Sequence, residues 1–120
     1  MKLQKKIRIP LYLQAVIINF DPKIHNELTG DNSDIGDYGA VVQFSDLKDA
    51  VIVTFFPDCY SVSTLSHECV HIAWKILDRA GVEVYCDNHE ALAYLVGWLS
   101  KEIEKYRLEL VKKGVLDANS

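Results

Sequence analysis

Between Thr64 and Arg79 the apolar residues recur at the three-to-four spacing of an α-helix: Leu65, Cys69, Ile72, Ala73, Ile76, Leu77 and, just beyond, Ala80. At about 100° per residue they form one stripe, and such a stripe must be buried against something. The chain supplies a partner immediately upstream. Tyr38 to Phe44 and Ala50 to Phe56 are apolar, β-branched and aromatic runs separated by Ser45-Asp46-Leu47-Lys48-Asp49, which predicts a β-hairpin with a loop of about five residues. Pro57-Asp58 ends the second strand, Ser61 or Ser63 is placed to cap the helix, and Gly81 to stop it. Val82 to Tyr85 reads as a short extended link. A last long helix is expected from about Asn88 to Lys113, with Leu92, Leu95, Val96, Leu99, Ile103, Tyr106 and Leu110 on its buried side. The expected fold class is therefore α+β: a small, mostly antiparallel sheet packed on a helix and followed by a long C-terminal helix.

The first third is less regular. Ile7 to Phe20 is rich in β-branched residues and reads as one long strand or a strand kinked at Pro10, with a short helix over Leu11 to Ile18 as the alternative. Asp21 to Asp37 is dense in turn residues and is expected as a loop bordering a cleft. Its acidic residues lack the ligand order and closing Glu of a calcium loop, so a solvated loop is the better reading.

At 120 residues, 49% hydrophobic and 25% charged, the chain is expected to be one globular domain. A net charge of -4 argues against a general nucleic-acid binder and gives no reason to invoke an anionic membrane surface. Cys59, Cys69 and Cys86 show no metal-ligand spacing and read as free thiols in a reducing cytoplasm. Met1 to Lys6 is basic like the start of a signal peptide, but Arg8, Pro10, Gln14 and Asn19 interrupt the adjoining apolar segment, and a cytoplasmic location is expected.

The other face of the Thr64–Arg79 helix carries the chemistry. His67-Glu68-Cys69-Val70-His71 is His-Glu-x-x-His, and on a helix residues four apart lie one above the other. Two imidazole nitrogens presented from one face can hold Zn²⁺, and the adjacent carboxylate of Glu68 can reach a water at the open position of the metal. Cys69, about 200° around from His67, belongs to the apolar side and reads as a small core residue.

A catalytic zinc takes three protein ligands, so the pair predicts a third donor downstream. Glu90 opens the last helix, nineteen residues after His71. It has a competing structural role, because Asp87-Asn88-His89-Glu90 is also a capping box in which Glu90 satisfies helix donors. Asp87 and His89 are rival ligands.

His67-Glu68-Cys69-Val70-His71 followed by Asn88-His89-Glu90-Ala91-Leu92-Ala93-Tyr94 resembles the zincin metallopeptidases of the gluzincin branch. The phrase Glu90 to Trp98 further resembles small metallopeptidases encoded by phages and prophages. The resemblance covers roughly Thr64 to Leu99. It implies a hydrolase with zinc held by His67, His71 and Glu90, Glu68 as general base toward a zinc-bound water, and a minimal zincin-like fold in which a sheet edge pairs with an extended peptide substrate. Many gluzincins carry an Asp four residues after the ligand Glu; here Tyr94 stands there, leaving Asp78, Asp87 or a backbone carbonyl to orient an imidazole. Tyr94, His89 and Tyr38 are the candidates for stabilising an oxyanion.

Two other functions fit the same residues. One is a catalytically inactive, zinc-stabilised binding module; the other is a metal-free α+β interaction domain with exposed histidines and a capping Glu90. A protease this small has little material for deep pockets, which points to a dedicated protein substrate, a partner chain or a homodimer completing the cleft.

Overall fold

The computed structural model describes residues 3–31 and 39–117. Four strands form one sheet: β1 (Gln4–Arg8), β2 (Ala15–Asn19), β3 (Ala40–Ser45) and β4 (Ala50–Phe55), in the order β1-β2-β4-β3. β1 with β2 and β3 with β4 are antiparallel, while β2 and β4 run parallel in the middle. Three helices complete the fold: α1 (His25–Thr29), α2 (Val62–Arg79) and α3 (Glu90–Lys112). The fold is α+β, with a mostly antiparallel sheet and a long C-terminal helix.

Strand alternation divides the core. Val16 and Ile18 of β2 and Val51, Val53 and Phe55 of β4 face α2 and α3, where Leu65, Cys69, Ile72, Ala73, Ile76 and Leu77 meet them. Each fully buried aliphatic side chain here contributes about 1.5–3 kcal/mol relative to exposure. The opposite face carries a smaller cluster of Ala15, Ile17, Ala50 and Ile52 against Leu28. Both helices thus turn inward the stripes expected of them, with Leu92 and Val96 half-buried and Ala80 alone exposed.

The hairpin of β3 and β4 lies where the sequence placed it. The first segment does not: Ile7 to Phe20 is neither a single strand nor a helix, but the end of β1, a turn over residues 9–14 and β2. Ile9 N–H donates to the Gln14 carbonyl across that turn at 2.8 Å. The turn uses positive φ at Leu11 (73°) and Leu13 (54°), a left-handed conformation that leucine adopts at a cost of about 1–3 kcal/mol. Pro10 lies in this turn, where a kink was expected, but without Gly or Asn at Leu11 and Leu13 no local signal marked a full reversal of the chain. The Asp21–Asp37 stretch likewise contains structure that composition concealed, a 3₁₀ turn (Pro22–Ile24) running into α1 and closed by Gly30 at φ 74°. Residues 32–37 of that stretch, and Tyr38, lie outside the described residues.

Under the sheet a chain of polar groups is buried with its hydrogen bonds made. Asn19 Nδ2 donates to Thr54 Oγ1 at 2.9 Å, Thr54 Oγ1 meets His25 Nδ1 at 2.7 Å, and His25 Nε2 meets Gln43 Oε1 at 3.1 Å. The wiring is self-consistent when Nε2 carries the ring proton and donates to Gln43, leaving Nδ1 to accept from the Thr54 hydroxyl. Gln43 belongs to β3, so the network ties an edge strand to the centre of the sheet.

Candidate metal centre

Ser61, in extended backbone, accepts from Thr64 N–H at 3.1 Å and starts α2 two residues earlier than the apolar periodicity alone indicates. From that start the helix carries His67 and His71 on its exposed side, one turn apart, with Glu68 buried between them and the sheet. The two Nε2 atoms are 3.1 Å apart, and Glu68 Oε2 is 3.9 Å from His67 Nε2. One ligand atom from each of the three residues lies within 4.8 Å of the others. Two nitrogens bound tetrahedrally to zinc at 2.0–2.1 Å stand about 3.3 Å apart, so the imidazole pair already has nearly the required spacing. The donor set therefore fits a zinc ion on the two histidines. Without metal, the same contact is a hydrogen bond between one N–H and one bare ring nitrogen.

The histidines and Glu68 share a groove of about 390 Å³ with Ala40, Val41, Val42 and Lys75. Its far wall is β3, the edge strand on that side of the sheet. Phe56 N–H donates to the Gly39 carbonyl at 2.9 Å, and these residues stand opposite one another in the register that pairs Ala40 with Phe55. Bonded and non-bonded pairs alternate along an antiparallel ladder. Val41, Gln43 and Ser45 consequently direct their peptide groups at β4, while Ala40, Val42 and Phe44 present theirs to the open side. An extended chain can pair with those three residues beside Glu68.

Glu90 is not brought into the convergent group. α2 and α3 are antiparallel neighbours: Tyr60, just before α2, donates its hydroxyl to Glu104 at 2.6 Å, and Cys69 touches Ser100. Glu90 precedes Ser100 by ten residues, about 15 Å of helix, which places it toward the far end of α2. The physical reason is the length of α2. It continues eight residues past His71, about 12 Å, before the chain turns. The alternative role for Glu90 is not realised either, because α3 begins at Glu90 itself, its N-cap is His89 and no side chain caps it. Among the described residues the Glu90 carboxylate has no hydrogen-bond partner, and the capping box from Asp87 does not form.

Asp78 lines a separate hollow with Trp74 and Val82 to Tyr85, and among the described residues no hydrogen bond joins it to either imidazole. Tyr94 and His89 are exposed. Cys69 behaves as a core residue: burial, chiefly, pushes its thiol up to about 11, with the neighbouring Ser100 hydroxyl opposing it, so it is not a thiolate at neutral pH. Lys75 is the groove residue that sequence reading passed over. Its signal was available, since it follows Glu68 by seven residues and so lies on the same helical flank.

No family model matches the sequence, and neither a curated protein nor a solved structure matches the chain. Among the described residues no helix is long and apolar enough to cross a membrane.

Proposed function

We propose that this chain is a zinc-dependent metallopeptidase, with His67 and His71 holding the ion and Glu68 as general base. What supports it is the 3.1 Å pairing of the two Nε2 atoms beside the Glu68 carboxylate, in a groove walled by a strand edge. Zinc bound there would supply Lewis acidity to a substrate carbonyl and to a water molecule. Glu68 takes the proton from the attacking water and returns it to the leaving amine. The outward peptide groups of Ala40, Val42 and Phe44 hold the substrate extended, so that its scissile bond lies across the groove from Glu68. Burial of Glu68 keeps its carboxylate directed into the groove. Ligation by Glu90, implied by the resemblance, is a separate proposal that requires the start of α3 to move toward His71.

The test is zinc content together with cleavage of a peptide library in the presence and absence of a chelator. One zinc per chain is expected, with chelator-sensitive hydrolysis that falls at least roughly 10²-fold in Glu68→Gln while zinc is retained. Zinc without hydrolysis would favour the inactive binding module. No zinc, and no thermal shift on adding it, would favour the metal-free interaction domain.

A further inference from the structure

The flank of α2 that carries Glu68 continues with Lys75 and then Arg79, all three within one strip at helical spacing. Each stands against β3. Lys75 lines the groove beside Val42, and the Arg79 guanidinium lies 3.7 Å above the ring of Phe44, two residues further along the same strand. Arg79 also opens onto a hollow of about 200 Å³ shared with Arg8, Gln14 and Asp49. The groove therefore has a definite polarity. The imidazoles, Glu68 and Lys75 line it beside Ala40 to Val42, and Arg79 lies beyond it along the same strand, over Phe44.

These cations are lightly committed. Lys75 and Arg8 have no ion-pair partner among the described residues, and Arg79 meets Asp49 only at 3.7 Å. The Asp49 side chain is 89% exposed, so this pair is held weakly and a second carboxylate can compete for the guanidinium. On a chain whose net charge is -4, a cationic strip beside a strand edge stands apart from the general surface.

We infer that Lys75 and Arg79 are specificity-determining residues that select an acidic side chain on a peptide paired with β3. The inference rests on the peptidase reading for its register. From His71 to Arg79 is about 12 Å along the helix, which an extended peptide covers in three to four residues. Antiparallel pairing, the more stable arrangement per residue, runs such a peptide from the Phe44 end toward Ala40. The acidic residue then lies three to four positions on the N-terminal side of the scissile bond.

Binding is measured apart from cleavage. Acetylated, amidated ten-residue peptides of neutral sequence, with one Glu or Gln moved through each position, are titrated into Glu68→Gln protein by fluorescence anisotropy. Wild-type cleavage of the same set is mapped by mass spectrometry. The expected result is roughly three- to ten-fold tighter binding of the best Glu peptide than of its Gln twin. Lys75→Gln with Arg79→Gln abolishes that difference while leaving zinc affinity unchanged. Asp49→Asn, an exposed change at φ 49°, a conformation that Asn tolerates, widens the difference. A peptide with its free C-terminal carboxylate as the sole acid gains less than the Glu peptide. Equal binding of Glu and Gln peptides, or a preference that survives the double substitution, overturns the inference. Cleavage without acidic preference refutes the inference and leaves the peptidase standing. A preference in binding without cleavage supports the charge-selective groove and counts against hydrolysis.

Discussion

Thr54→Val removes one oxygen atom from the buried network beneath the sheet and keeps the shape of the side chain. Thr54 is fully buried, and its hydroxyl serves two neighbours, accepting from Asn19 Nδ2 at 2.9 Å and meeting His25 Nδ1 at 2.7 Å. In the valine variant Asn19 keeps its bond to the Asp21 carbonyl but loses the second, and His25 Nδ1 faces a methyl group. A buried polar group left unpaired costs about 1–3 kcal/mol. Two such groups give a loss of roughly 2–5 kcal/mol, a large part of the 5–15 kcal/mol typical of a domain. At this chain length that corresponds to a fall in Tm of roughly 6–20 °C. Thr54→Ser, which keeps the hydroxyl and loses a methyl group, should cost only about 1 kcal/mol. Urea titrations of the three proteins, read from midpoint and slope, measure both differences. A valine variant within about 1 kcal/mol of wild type, or a serine variant as damaged as the valine one, would refute the network's role. Because the network reaches β3 through Gln43, the valine variant should also weaken the peptide binding proposed for the groove.

Glu90→Ala should leave zinc affinity unchanged, because α3 holds Glu90 away from the imidazole pair; a fall of roughly 10-fold or more on isothermal titration would show it to be the third ligand. Glu104 accepts from Arg107 through both oxygens at 2.9 Å and from Tyr60, interactions that hold its carboxyl below the ordinary carboxylate value, with burial opposing them. A lowered folded pKa stabilises the fold above the unfolded value, about 4.3, and that contribution is lost as pH falls through the folded value. The stability difference between wild type and Glu104→Gln should therefore be about 1 kcal/mol at neutral pH, given the partial exposure of the pair, and shrink below about pH 4. A difference that grows on acidification would be the wrong sign. Cys59 and Cys86 are exposed and Cys69 is buried with its thiol raised to about 11, so a disulfide reagent should label two thiols per native chain at pH 7 and the third only on unfolding.

The sequence by itself determined the elements whose signal is local. The helical stripe of α2, the hairpin of β3 and β4, the serine that caps α2 and the placement of His67 and His71 on one exposed face all follow from spacings of a few residues. Such spacings are set by 3.6 residues per turn and by strand alternation, so they are legible without the fold. Tertiary structure decided everything that depends on how elements meet. The β1–β2 turn forms over Leu11 and Leu13 because pairing Ile7 with Val16 and burying Ile9 outweighs the cost of two left-handed leucines. The parallel register of β2 and β4 brings Asn19 to Thr54 across thirty-five residues of chain, which no local pattern encodes. The same holds for the site. His67, Glu68 and His71 converge because they share one helix, whereas the position of Glu90 depends on where α2 stops and how α3 packs on it. Lys75 in the groove and Arg79 beyond it acquire meaning only beside β3, an edge strand by virtue of the sheet order.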